Sequence, residues 1–115
     1  MNQITKFKKE NMQQVLIDKF FVPANAKEEF IERMNYNSEF ITKLPGFVKG
    51  EIFEQMDENG NFICVTVTIW EKETFFNEAK EAVQGEFKRI GFFPNEFYQR
   101  LNIKLDRGTY HPMRN

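Results

Sequence analysis

A small set of side chains in this 115-residue chain joins a polar or reactive group to an apolar setting: Trp70, Asp18, Thr66, Thr68 and Cys64. The indole of Trp70 offers a flat surface for stacking on a planar aromatic molecule and one N–H donor for an oxygen. Asp18 interrupts the apolar run Val15-Leu16-Ile17-Asp18-Lys19-Phe20-Phe21. Partial desolvation of a carboxylate there would raise its pKa, suiting it to remove a phenolic or enolic proton; otherwise it sits at a pocket mouth or pairs with a nearby Lys or Arg. The hydroxyls of Thr66 and Thr68 could orient a ligand carbonyl, although Thr is also a favoured strand residue. Cys64 is the single cysteine and His111 the single histidine. With no cysteine partner and no histidine close by in sequence, the thiol reads as a small apolar residue rather than a nucleophile. The expected catalytic set is therefore Trp70, Asp18 and Thr66, with Phe20, Phe62, Cys64, Thr68 and Phe76 lining the substrate.

These residues need elements to hold them. Asn61 to Trp70 alternates with a period of two: Ile63, Val65, Val67 and Ile69 are uniformly aliphatic, whereas Phe62, Cys64, Thr66, Thr68 and Trp70 are mixed. A strand with one wet face would carry charges there, so the mixed face is expected to look into a pocket or a partner subunit. Gln14 to Val22 forms an earlier strand, apolar on both faces apart from Asp18 and Lys19. Pro23 ends it, and Asn25 with Glu28 has the spacing of a capping box for a helix to about Lys43. Leu44-Pro45-Gly46-Phe47 turns the chain into a strand over Phe47 to Met56, and Asp57-Glu58-Asn59-Gly60 closes a hairpin, with Asn-Gly supplying positive φ. A second helix runs from near Lys72 to Gly91, with Gly85 as a weak point. Beyond the turn Phe92-Phe93-Pro94-Asn95, a short helix to Leu101 precedes a last strand from Ile103 to Tyr110, although a single strand from Phe97 alternates almost as well.

Composition bounds the class. Hydrophobic residues make up 41%, including 14 Phe, enough for a core, and a net charge of −1 provides no field for nucleic acid or an anionic membrane. No apolar stretch is long enough to span a bilayer, and the sequence lacks a Gly-rich phosphate loop, paired cysteines or a zinc-binding His motif, so neither metal nor nucleotide is expected. The polar start and lone cysteine suggest a cytoplasmic protein, with residues 1–13 as a flexible extension and residues 14–112 as one domain.

The order β-α-β-β-α-(α)-β is that of an α+β, ferredoxin-like antiparallel sheet with helices on one face. The helix-free face is expected to carry Leu16, Phe20, Phe62 and Trp70. So large an apolar patch calls for cover, which a homodimer with facing sheets and a cavity beside the interface would provide. Val15-Leu16-Ile17-Asp18-Lys19-Phe20, Lys27-Glu28-Glu29-Phe30, Leu44-Pro45-Gly46-Phe47-Val48 and Thr66-Val67-Thr68-Ile69-Trp70-Glu71, followed by Phe75 or Phe76, resemble the antibiotic-biosynthesis-monooxygenase family of dimeric α/β barrels. The resemblance implies a homodimer that oxidises a small aromatic or quinoid ligand with O2 and no bound cofactor. Trp70 matches the family's pocket Trp, and Thr66 stands where the oxygenases carry Asn. In heme-degrading members, Asn takes the place of Asp18 and an iron-ligating His falls near Lys80 and Glu81, so the heme route is not expected. A ligand-binding dimer without catalysis, or a structural one filled by its own Phe side chains, uses the same scaffold.

Overall fold

The structure, a computed structural model, describes residues 12–113; the expected extension falls largely on residues 1–11, outside the described residues. Four strands, β1 (Gln14–Val22), β2 (Phe47–Met56), β3 (Phe62–Trp70) and β4 (Lys104–Tyr110), form one sheet in the order β2-β3-β1-β4, antiparallel throughout. Three helices, α1 (Lys27–Ile41), α2 (Glu73–Ile90) and α3 (Pro94–Leu101), lie on one face. This is the ferredoxin-like α+β fold expected, with β1 and β3 as central neighbours. No helix among the described residues is long and apolar enough to cross a membrane.

Local chemistry explains most boundaries and corrects three details. The capping box at Asn25 and Glu28 does not form: Pro23, at φ −59° and ψ 150°, leads into a 3-10 turn over Ala24–Ala26, and Ala26 N–H donates to the Pro23 carbonyl at 2.9 Å. That bond places Asn25 inside the 3-10 turn and not at an N-cap position. In the β2–β3 turn only Gly60 takes positive φ (81°). The Asp57 carboxylate accepts from the backbone of Asn59 (2.8 Å) and Asn61 (2.9 Å), so an Asx-type turn replaces the two-residue Asn-Gly hairpin. Gly85 leaves α2 unbroken, because it is exposed and the 18-residue helix is held elsewhere by buried Phe76 and Ala79. Pro94 opens α3, where a missing N–H costs nothing.

The largest correction concerns the two faces of the sheet. Leu16, Phe20, Phe62 and Trp70 do not lie on the helix-free side. Phe20, Val22, Phe62 and Cys64 pack with Ala26, Phe30, Phe97 and Ile103, and Trp70 packs with Phe76, Ala79, Leu16, Ile41, Leu44 and Phe47. The mixed face of β3 is therefore the helix-covered one, because its large rings fill the uneven surface that helices present. The open face carries Val15, Ile17, Lys19 and Phe21 of β1 in register with Ile69, Val67, Val65 and Ile63 of β3. Lys49, Glu51, Phe53 and Gln55 of β2, and Tyr110, Gly108, Asp106 and Lys104 of β4, flank that aliphatic centre. Trp70 thus packs under the helices of its own subunit and not in a chamber between two facing sheets.

Candidate functional site

The helix-covered core is two clusters rather than one. Aromatic rings tie the first together: Phe30 lies 5.0 Å from Phe20 and 6.1 Å from Phe62, centroid to centroid. The second is built around Trp70. Between them a row crosses all four strands on the same face: Ile52, Thr66, Asp18 and Arg107, each paired in register with the next. Cross-strand pairs of this kind hold their Cβ atoms about 5 Å apart, so Thr66 and Arg107 flank Asp18 directly. Ile52 is 54% exposed although it faces the helix side, because the helices stop short of β2. The row is therefore buried at Asp18 and exposed at both ends, at Ile52 on β2 and at Arg107 on β4.

Asp18 is held by a two-pronged contact. Arg107 Nε donates to Oδ1 at 2.7 Å and Nη2 donates to Oδ2 at 2.8 Å. The carboxylate side chain is 8% exposed and the guanidinium side chain 54%. The sequence placed Asp18 either in an apolar pocket or against a base; the second arrangement is the one found. Parallel N–H···O bonds from a planar fork are the strongest pairing available to a carboxylate. The Asp18 carboxylate holds the Arg107 guanidinium above its ordinary pKa, and burial works against this. Tyr98, on α3, has its phenol raised by burial, with Arg107 pulling the other way and Asp18 reinforcing the rise. Sequence reasoning missed Arg107. Its signal was its position at the centre of the last strand, where antiparallel pairing puts it opposite Asp18.

The other predicted residues separate into two groups. Trp70 is 3% exposed, its indole N–H donates to Thr68 Oγ1 at 3.3 Å, and its ring meets Phe47 edge-on at 5.5 Å. Phe20, Phe62, Cys64 and Phe76 are buried in the two clusters. Burial pushes the Cys64 thiol up to about 11, with Glu54 adding to the rise, so a thiolate nucleophile is disfavoured. Thr66 and Thr68 are half-buried between the clusters. The structure thus brings Asp18 and Thr66 together with Arg107, and puts Trp70 and the aromatic residues in the apolar clusters on either side.

The turn motif fixes the surroundings of Trp70. Gly46 takes φ 83°, and a Cβ there would lie 2.3 Å from Phe75 Cβ. Glu71 N–H donates to the Gly46 carbonyl at 2.8 Å. The Leu44-Pro45-Gly46-Phe47 turn, the end of β3 and the start of α2 therefore meet beside Trp70. A separate shallow depression of about 470 Å³ lies on α3, lined by Asn95, Tyr98, Gln99, Asn102 and Ile103. Tyr98 is common to this depression and to the surroundings of Asp18.

Similarity to solved structures matches this architecture. A candidate monooxygenase from Shewanella loihica PV-4 superposes with a TM-score of 0.66 at 23% identity, covering 90% of this chain and 97% of its own. SnoaB, a cofactor-independent oxygenase from Streptomyces nogalater, gives 0.61 at 20% identity, covering 90% and 96%. A dimeric ferredoxin-like protein from an uncultured marine organism gives 0.68 at 13% identity, covering 90% and 98%. At these identities the likeness is one of fold. No family model and no curated protein matches the chain.

Proposed function

We propose that this chain is an oxygenase of the antibiotic-biosynthesis type, oxidising a small, flat aromatic or quinoid molecule with O2 and no resident cofactor. The observation that carries the reading is the charged row between two apolar clusters, on a fold shared with a cofactor-independent oxygenase. A flat apolar ligand entering between the clusters from the Arg107 end of the row would lie against the residues around Trp70 and meet polar groups at Arg107, Asp18, Thr66 and Thr68. Asp18 then serves as the polar anchor of the cleft and Thr66 as a donor to a ligand carbonyl. Phe20, Phe62, Cys64 and Phe76 act from behind, by holding the walls in place.

The same reading includes a cytoplasmic homodimer. The open face has an aliphatic centre in Ile17, Val65, Val67 and Ile69, with Lys19, Lys49, Lys104, Glu51 and Asp106 around it. A surface that is apolar at its centre and carries both charges outside it suits a second copy of itself. The engaged indole N–H and close packing of Trp70 favour a second reading, a ligand-binding or structural dimer without catalysis.

Oxygen consumption with a dihydroxyanthracene or quinol substrate separates the two. Enzyme-dependent uptake supports the oxygenase. Quenching of Trp70 fluorescence without uptake supports the binding protein. Neither signal leaves the structural dimer.

A further inference from the structure

We propose that Arg107, rather than Asp18, is the group that meets the ligand, donating from Nη1 to a phenolic or quinoid oxygen and favouring its ionised form. The proposal rests on the cleft as the ligand site and adds the chemistry that the ligand must present there.

The geometry points this way. Both carboxylate oxygens of Asp18 are taken by Nε and Nη2 of Arg107, which leaves Nη1 as the guanidinium nitrogen not used in the pair. The pair is also graded in depth: the carboxylate is the buried end and the guanidinium the half-exposed end. A molecule arriving from the exposed side therefore meets N–H donors and positive charge before it meets the carboxylate. Asp18 becomes a positioning residue. It cancels the net charge of the pair while fixing the direction of the fork, so no rotamer has to be frozen when a ligand binds.

The surroundings add little negative charge. Thr66, the neighbour on β3, is neutral. Tyr98 on α3 keeps its proton, because burial raises its phenol. Glu54 on β2 is the other carboxylate on this face, one pair along at Cys64 and on the exposed edge strand. A preorganised donor beside an oxygen stabilises charge as it develops there. For a bound phenol the released proton goes to solvent, and the phenolate stays opposite Arg107. An electron-rich phenolate or enolate is the form of such a molecule that gives up electrons to O2, so this role deepens the proposed oxygenase reading.

The test uses 4-nitrophenol, whose phenolate absorbs in the visible, and nitrobenzene as the match without a hydroxyl. Binding to the whole protein is followed by absorbance and by Trp70 fluorescence. The ionisation midpoint of bound 4-nitrophenol is expected to fall by about one pH unit, a tenfold preference for phenolate over phenol. In the neutral pair variant D18N/R107Q this preference is lost, while nitrobenzene binds as before. A midpoint that rises or stays put on the wild-type protein, with nitrobenzene still bound, overturns the role of Arg107 and leaves the cleft standing. Failure of both probes to bind removes the cleft reading and the role together. If D18N/R107Q does not fold, amide shifts induced by 4-nitrophenol in the wild-type protein decide. Changes centred on 16–18, 66–68 and 105–107 support the proposal, and changes elsewhere reject it.

Discussion

The two faces of the one sheet are built from opposite kinds of sequence. On the open face, β1 and β3 contribute only aliphatic and aromatic side chains apart from Lys19, and the other charges lie on the outer strands. On the helix-covered face, the same two strands carry rings, a thiol, hydroxyls and a carboxylate. Among the described residues the helices leave the uniform face uncovered and pack on the uneven one. A regular aliphatic surface suits another sheet, whose side chains have the same spacing. Helices meet a sheet at fewer points, so rings such as Phe20, Phe30 and Phe62 must fill the gaps. The place left between the two clusters is where charge is kept.

Four perturbations test that contrast. The largest effect is expected from Phe30→Ala, which removes a ring that touches both central strands under α1. A cavity of that kind costs about 3–5 kcal/mol, a large part of what a domain of this size has to lose. Urea unfolding should show the loss, and a loss under about 1 kcal/mol would deny the helix-covered face its part in folding. Next is Val67→Asp, which sets a charge among Ile17 and Glu51 on the open face. Dimer dissociation is expected to rise roughly 100-fold, equivalent to about 2.7 kcal/mol, with the circular dichroism spectrum unchanged. Sedimentation at several concentrations reads this directly, and an unaltered association state would take the open face out of the interface.

Removing one member of the buried pair separates stability from function. Arg107→Gln leaves the Asp18 carboxylate without its fork, and the solvent-exposed guanidinium keeps the loss moderate, about 1–3 kcal/mol. The double variant D18N/R107Q should recover most of it, and a cycle of melting curves measures the coupling. Failure to recover would mean that the charges themselves, not the unpaired carboxylate, matter to the fold.

The smallest effect lies outside both faces. Glu86 on α2 is held down to about 2 by the hydrogen bond from Arg89 and by that from the Tyr36 hydroxyl. Its folded pKa lies below the ordinary 4.5, so its contribution is present above pH 4.5 and fades as pH falls towards 2. Glu86→Gln should flatten acid unfolding within that window and change little at neutral pH. An unchanged acid profile would assign the acid sensitivity to other carboxylates.

Much of the fold was legible because the responsible signals are local. Alternation in Gln14 to Val22 and Asn61 to Trp70, Pro23, the Pro-Gly turn and Gly91 after α2 each act within a few residues, and the elements fall where they indicate. The Asn25–Glu28 cap failed because the 3-10 turn that begins after Pro23 takes Asn25 into its middle and away from the N-cap position. Asp18 stood out as a charge in an apolar run, yet its partner did not. Arg107 lies far along the chain in a strand with ordinary polar neighbours. Nothing local distinguishes it from the exposed Arg100 or Lys104.

Sequence by itself determined the order of elements, the antiparallel ferredoxin-like sheet, and the division of β3 into an aliphatic and a mixed face. Those properties follow from periodicity and from backbone preferences that each residue carries with it. Tertiary structure alone decided which face the helices would take, and with it whether Trp70 looked outward or lay under α2. It also decided that Asp18 would meet a guanidinium. Both outcomes depend on how side chains from distant segments fill a shared volume, and alternation along one strand divides its residues into two faces without saying which of them the helices will cover.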